Sequence, residues 1–158
     1  MAPECHGGHE KRGAAMSRAP VAVLVYEALV DVGPTVSLGG GTCGERRIVN
    51  ITGGEFNGPR ISGKVLPGGA DRQLVRVDGV LLLDALYEIQ ANDGTVLTVH
   101  NRVKVIHRPG TERSAFSHID ISAPSGVHEW LNDAVLVGTA EPPSPDRPAV
   151  RIRVFELT

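Results

Sequence analysis

The sequence predicts an all-β protein, a single antiparallel β-barrel of about eight or nine strands that is closed or nearly closed. Short β-favourable runs alternate with Gly, Pro and Asp-Gly turn signals along residues 21–158, and almost no segment favours a helix. So many strands suit a barrel better than an open sheet with exposed edges. The chain length of 158 residues is that of one domain.

The first twenty residues predict a disordered tail before a barrel domain at residues 21–158. They are rich in Gly, Ala, Arg and His and carry too little apolar surface to order themselves. Cys5, His6 and His9 lie here, but a tail offers no preformed metal site, so no metal is predicted. Met16 is a plausible alternative start.

The tail lacks the apolar region of a signal peptide, and the two cysteines give no disulfide framework. Both observations favour a cytoplasmic protein.

The run at residues 21–31 is Val-rich, has no helix cap before it and predicts the first strand. Residues 33–44 read as a loop, because three consecutive glycines at Gly39, Gly40 and Gly41 interrupt the pattern. This loop lacks the Gly-Lys-Ser/Thr ending and the following helix of a phosphate-binding loop, so we interpret it as a connection.

The next stretch, residues 44–74, predicts short strands separated by tight turns. The turn signals are Gly53-Gly54, Gly58-Pro59 and the Pro-Gly-Gly at residues 67–69. Gly63 lies inside one of the short strands, where a glycine marks a bend or the close approach of another backbone.

A β-hairpin follows, with strands at residues 80–90 and 95–106 around the Asp-Gly turn at residues 91–94. Each strand alternates between an apolar and a polar face, and the apolar faces should point to the core. The inward positions are Leu81, Leu83, Ala85, Tyr87 and Ile89 on the first strand, and Leu97, Val99, Asn101, Val103 and Val105 on the second.

The remaining strands are predicted at residues 116–123, 134–140 and 150–157. Residues 124–130 should form a loop or a single helical turn. Residues 141–148 contain four prolines and predict a loop before the last strand, which alternates cleanly.

Composition excludes some classes of function. A net charge of −2 gives no basic surface for nucleic acid, and 4% aromatic residues give no platform for stacking bases. No apolar run is long enough for a membrane-spanning helix. The histidines do not show ligand spacing; His118 and Asp120 alternate along one strand without an obvious third ligand.

Tyr87 and Asn101 are polar residues on inward faces, and this is the pattern expected of a barrel that holds a small ligand. The alternative is structural: the Tyr87 hydroxyl reaches the rim and Asn101 bonds a neighbouring backbone. The sequence alone does not decide between a ligand-binding role and a structural role for Tyr87 and Asn101.

Asp71 and Gln73 share a strand face next to the Pro-Gly-Gly turn, near one mouth of the predicted barrel, and Glu55 follows the other Gly-Gly pair. A carboxylate at an apolar mouth can exchange protons as a general acid or base. The candidate catalytic residues are therefore Tyr87, Asp71 and Glu55, and the candidate ligand-binding residues are Gln73, Asn101 and Arg46. In the structural alternative, Asp71 ties down its turn and Glu55 pairs with Arg46, Arg47 or Arg60.

The segment G-x-R-R-I-x-x-I-x-G-G-x-F-x-G-P at residues 44–59, followed by V-x-P-G-G-A-D at residues 65–71, resembles a family of small bacterial and fungal proteins classed as a domain of unknown function, DUF3237. The likeness continues to Val137-Gly138. It implies an antiparallel barrel similar to allene oxide cyclase and dirigent-type barrels, and a homo-oligomer. Arg72 and Val103 depart from the usual Trp and Gly of the family.

Three functions fit this sequence. The first is a cofactor-independent cyclase or isomerase that acts on an apolar metabolite by positioning and proton transfer, which leaves no sequence motif. The second is a barrel that binds the same kind of ligand without turnover. The third is a structural or interaction protein whose barrel is filled by side chains.

Overall fold

The computed structural model describes residues 17–158. Most of the predicted tail, including Cys5, His6, His9 and Met16, lies outside the described residues. One short 3₁₀ turn accompanies nine strands: β1 (Ala22–Gly41), β2 (Gly44–Asn57), β3 (Gly63–Val65), β4 (Ala70–Arg76), β5 (Leu81–Ala91), β6 (Val96–Ile106), β7 (Ser114–Ser122), the turn η1 (Glu129–Asn132), β8 (Leu136–Glu141) and β9 (Ala149–Leu157). The prediction of an all-β antiparallel fold with eight or nine strands is confirmed.

The strands pair into a ring. From β1 the order runs through β9, β8, β7, β6 and β5, then through β3 and β4 to β2, and β2 pairs with β1 again. All of these pairings are antiparallel. At the β1–β9 seam, the amide of Val21 donates to the carbonyl of Thr158, and the amide of Thr158 donates to the carbonyl of Val21, both at 3.0 Å. Because β1 pairs with both β9 and β2, the sheet has no long unpaired edge at this seam.

The hairpin of β5 and β6 has the predicted turn and the predicted inward faces. Leu81 pairs with Val105 at one end and Ile89 with Leu97 at the other, and Gly94 closes the turn by donating its amide hydrogen to Ala91. Alternate residues of both strands lie in the core, as the hydrophobic pattern indicates.

Two local predictions were wrong, and both concern glycines. The residues predicted as a loop after Asp31 continue β1 to Gly41, because β2 supplies backbone partners as far as Gly44 across several irregularities of register. Gly53 and Gly54 do not form a turn but lie inside β2. A Cβ atom on Gly54 would lie 2.1 Å from the carbonyl oxygen of Leu29, so glycine here allows two strands to approach closely.

The two ends of the barrel differ. At the end where Ile89 pairs with Leu97, both side chains are almost fully buried and Leu131 of η1 packs onto the same core. At the end where Leu81 pairs with Val105, the interior is not filled. This second end contains the cavity described below.

Candidate functional site

A cavity of about 450 Å³ lies inside the barrel and reaches the end where Leu81 pairs with Val105. This volume lies in the range of small-molecule sites. Its lining is mostly apolar and includes Val30, Val32, Val49, Ile51, Leu81, Leu83, Val103, Val105, Val150 and Ile152. Short β-branched side chains on the inward faces leave this space open, whereas larger residues fill the other end.

Four of the six residues predicted as site residues line this cavity: Asp71, Gln73, Tyr87 and Asn101. They come from three neighbouring strands, β4, β5 and β6. Asp71 and Asn101 flank Ala85 from either side in the sheet. Their Cα atoms are therefore two strand spacings apart, about 10 Å, and the small Ala85 side chain leaves room between them.

Asp71 is the carboxyl group of this wall. Its Oδ2 accepts a hydrogen bond from Gln73 Nε2 at 2.8 Å, and its Oδ1 accepts one from the backbone amide of Asp84 at 2.9 Å. No arginine or lysine forms an ion pair with Asp71 among residues 17–158. Burial raises the pKa of Asp71 above its usual value, against the opposing effect of these two hydrogen bonds.

Tyr87 contributes a hydroxyl from β5. The side chain is 2% exposed, and burial raises its pKa well above the usual value, so the hydroxyl stays protonated and can donate a hydrogen bond. The second tyrosine of the chain, Tyr26, is also buried, but it does not line the cavity and its hydroxyl has no partner among the described residues.

Asn101 is 2% exposed, and its Oδ1 has no hydrogen-bond partner in the described part of the chain. A buried amide oxygen without a partner costs free energy, because water satisfied it in the unfolded chain. The structural interpretation in which Asn101 bonds a neighbouring backbone therefore does not hold for this oxygen.

Glu55 and Arg46 do not line the cavity. The Glu55 carboxylate accepts hydrogen bonds from Arg147 Nη1 at 2.6 Å and Nη2 at 2.7 Å, and these bonds lower the pKa of Glu55. The partner is thus Arg147 and not Arg46, Arg47 or Arg60. Arg46 is exposed and lies beside a separate outer depression of the barrel.

Sequence reasoning missed the rim of the cavity. Pro142, Pro143 and Pro148, from the loop between β8 and β9, line the cavity. Arg147 fixes this loop by binding Asp31 of β1, at 2.7 and 3.0 Å, in addition to Glu55 of β2. The only signal in the sequence was the cluster of prolines, which identified a loop but not its position.

Within residues 17–158, no group of three or more His, Cys, Asp or Glu side chains is placed to bind a metal ion. In the same part of the chain, no helix has the length and apolar character needed to cross a bilayer.

Comparison with protein families shows a match to one family model, described as a protein of unknown function (DUF3237), over residues 20–157. A similar curated protein is a UPF0311 protein of Rhodopseudomonas palustris, which is 43% identical over 77 residues, 49% of this chain and 50% of the relative. A UPF0311 protein of Clostridium acetobutylicum is 43% identical over 58 residues, 37% of each chain. The first alignment thus spans about half the length of that relative.

Solved structures share the whole fold. A conserved protein of unknown function from Rhodopseudomonas palustris is 26% identical with a TM-score of 0.81, covering 90% of this chain and 100% of that one. A beta-barrel like protein from Acinetobacter baumannii is 24% identical with a TM-score of 0.84, covering 92% and 100%. A structure described as an enzyme from Penicillium herquei is 22% identical with a TM-score of 0.72, covering 92% and 99%. The last two likenesses establish the barrel fold alone.

Proposed function

The chain belongs to the DUF3237 family, and we propose that its barrel binds an apolar small molecule and catalyses a cofactor-independent proton transfer, as in a cyclisation or isomerisation. The observation that carries this proposal is Asp71, a carboxyl group in a mostly apolar cavity that has no cationic partner among residues 17–158. An ionised carboxylate is costly in such a place, so its position there suggests a chemical role.

In the proposed reaction, Asp71 removes a proton from a carbon next to a carbonyl group of the ligand. The electron pair moves to the carbonyl oxygen, where the Tyr87 hydroxyl donates a hydrogen bond to the developing enolate. In an isomerisation, Asp71 then returns the proton to the far carbon of a conjugated enolate, and the double bond shifts. In a cyclisation, the enolate carbon attacks a conjugated alkene carbon of the same molecule, the π bond of that alkene breaks as the ring closes, and the resulting carbanion takes the proton back from Asp71. Gln73 holds the carboxylate by its hydrogen bond at 2.8 Å.

The raised pKa of Asp71 supports this role. Burial makes the ionised carboxylate a stronger base than an exposed aspartate, and efficient general bases have a pKa near the working pH. The Penicillium herquei structure, described as an enzyme, supports the idea that a barrel of this kind can be catalytic.

The test uses nitrobenzisoxazole, a flat apolar compound that reports on carboxylate bases. Removal of its ring C–H proton breaks the N–O bond and releases a coloured cyanophenolate, with no cofactor required. We expect the wild-type barrel to accelerate this elimination with a rate that rises with pH through the pKa of Asp71. Asp71→Asn should reduce the rate to the background, and Glu55→Gln, a carboxylate outside the cavity, is the matched control and should leave it unchanged.

If wild type and Asp71→Asn react equally slowly although both bind the compound, proton transfer is excluded and the cavity is a ligand-binding site without turnover. If Glu55→Gln and not Asp71→Asn abolishes the reaction, the base is misassigned. Homo-oligomerisation and a cytoplasmic location remain predictions; light scattering coupled to size-exclusion chromatography measures the first.

A further inference from the structure

The cavity wall is polar on one side. Asp71, Gln73, Tyr87 and Asn101 come from the adjacent strands β4, β5 and β6. The facing wall is formed by β1, β2, β8, β9 and the proline-rich loop, and apart from Thr35 and Glu141 its lining side chains are mostly aliphatic: Val30, Val32, Val49, Ile51, Val150, Ile152 and the three rim prolines. A ligand that fits both walls has its polar groups along one edge.

The polar wall carries negative charge and no positive charge. Asp71 is the carboxyl group of this wall. Elsewhere in the lining, the Glu141 carboxylate lies 3.6 Å from Arg151 and 3.5 Å from Arg153, and Arg113, the cationic side chain of the lining, is exposed and donates from Nη1 to the carbonyl oxygen of Ala140 at 3.0 Å. An anionic ligand would meet an ionised Asp71 in a medium of low polarity, where like charges repel strongly. A carboxylate or phosphate ester is therefore a poor ligand for this cavity.

Asn101 brings a buried amide to this wall, and its oxygen becomes a hydrogen-bond acceptor for a ligand when the amide rotates. Its Oδ1 is buried and has no partner in the described part of the chain, although a residue of similar shape such as leucine would fill the same space without a polar group. The terminal torsion of asparagine has a broad range, so a rotation of the amide turns this oxygen towards the cavity. Ser117 also has a buried unpaired oxygen, but it does not line the cavity, which makes it a matched control.

We infer that the cavity selects an uncharged, largely apolar molecule that presents a hydroxyl or N–H donor to Asn101 on the same edge as the group that meets Asp71, and that it rejects anions. This inference rests on the proposed function only in requiring that the cavity binds a ligand, and not on catalysis. It narrows the ligand from any apolar metabolite to neutral alcohols, amides or related N–H compounds.

Three fluorescent probes of similar size test this selection: naphthylmethanol, its methyl ether and naphthoate. At pH 8 the wild type should bind the alcohol about tenfold more tightly than the ether, the ratio expected for one hydrogen bond at the upper end of the usual range. Naphthoate should bind more weakly than either. Fluorescence titration gives the three dissociation constants for each variant.

Asn101→Leu should bring the alcohol-to-ether ratio close to one, and Ser117→Ala should leave it unchanged. Asp71→Asn should strengthen naphthoate binding by about tenfold or more, because the repelling charge is gone, while the alcohol-to-ether ratio is retained. A measurement without ligand completes the test: the melting temperature of Asn101→Leu should equal or exceed that of the wild type, since an unpaired polar group is removed.

Equal binding of the alcohol and the ether by the wild type would overturn the donor requirement, and tight naphthoate binding by the wild type would overturn the rejection of anions. A melting temperature of Asn101→Leu several degrees below that of the wild type would show that Asn101 is structural. If none of the probes binds, the inference and the proposed function both fail. If the probes discriminate as expected but Asp71 transfers no proton, only the catalytic proposal fails.

Discussion

Replacement of Tyr87 by phenylalanine separates a functional hydroxyl from a packing residue. The ring is buried in the core and stays in the variant, so the free energy of unfolding should change by less than about 0.5 kcal/mol. The hydroxyl belongs to a residue that lines the cavity, where one hydrogen bond to a ligand contributes about 0.5–1.5 kcal/mol. We therefore expect the affinity for a carbonyl-bearing probe to fall between about twofold and twelvefold.

The assay pairs calorimetric titration of acetylnaphthalene, a neutral aryl ketone, with thermal melting. Tyr26→Phe is the matched control, because Tyr26 is the other tyrosine of the chain, is equally buried and lies outside the cavity lining. Its hydroxyl has no partner within residues 17–158, so its removal should leave the affinity unchanged and stabilise the fold by about 1 kcal/mol. A Tyr87→Phe protein that melts many degrees lower and binds the ketone as well as the wild type would refute the reasoning.

Three further variants have defined outcomes. Gly54→Ala should lower the free energy of unfolding in urea by about 3 kcal/mol or more, because a Cβ there meets the Leu29 carbonyl at 2.1 Å, whereas Gly40→Ala has an open environment and should change it little. Arg147→Met should change the free energy of unfolding little, since its ion pairs are partly exposed, yet speed probe association and dissociation in stopped-flow experiments by freeing the rim loop. The raised pKa of Asp71 means that the folded state holds this proton more tightly than the unfolded one. The free energy of unfolding of the wild type, measured relative to that of Asp71→Asn, should therefore fall as the pH rises from about 4 through the raised pKa of Asp71. A difference between the two proteins that stays constant over this pH range would contradict the raised pKa.

Sequence pattern predicted strands best where side chains alternate. The β5–β6 hairpin follows from an Asp-Gly turn between two alternating runs, and its inward faces correctly included Tyr87 and Asn101. The pattern failed at glycines, because a glycine inside a strand and a glycine in a turn look alike until the neighbouring backbone is known. Gly54 is needed for close approach to Leu29, a residue of another strand.

The candidate site was predictable only within neighbouring strands. Alternation placed Tyr87 and Asn101 on inward faces, and the Pro-Gly-Gly turn placed Asp71 and Gln73 near one mouth of the barrel. The pairing of β4, β5 and β6 in the structure then brings all four to one cavity. The partner of Glu55 was not predictable, because Arg147 lies 92 residues away and only the closure of the ring brings the two together. The same closure places the proline-rich loop at the cavity rim.

The pairing of β1 with β9 joins the first and the last strand of the barrel, so the wall is continuous between them. Val21 and Thr158 are joined by two backbone hydrogen bonds at 3.0 Å, so a short flexible linker can connect them without disturbing the ring. A circular permutant that opens at the exposed Asn92–Gly94 turn keeps every strand and the whole cavity, and its new chain ends lie at the filled end of the barrel, the same end as Val21 and Thr158.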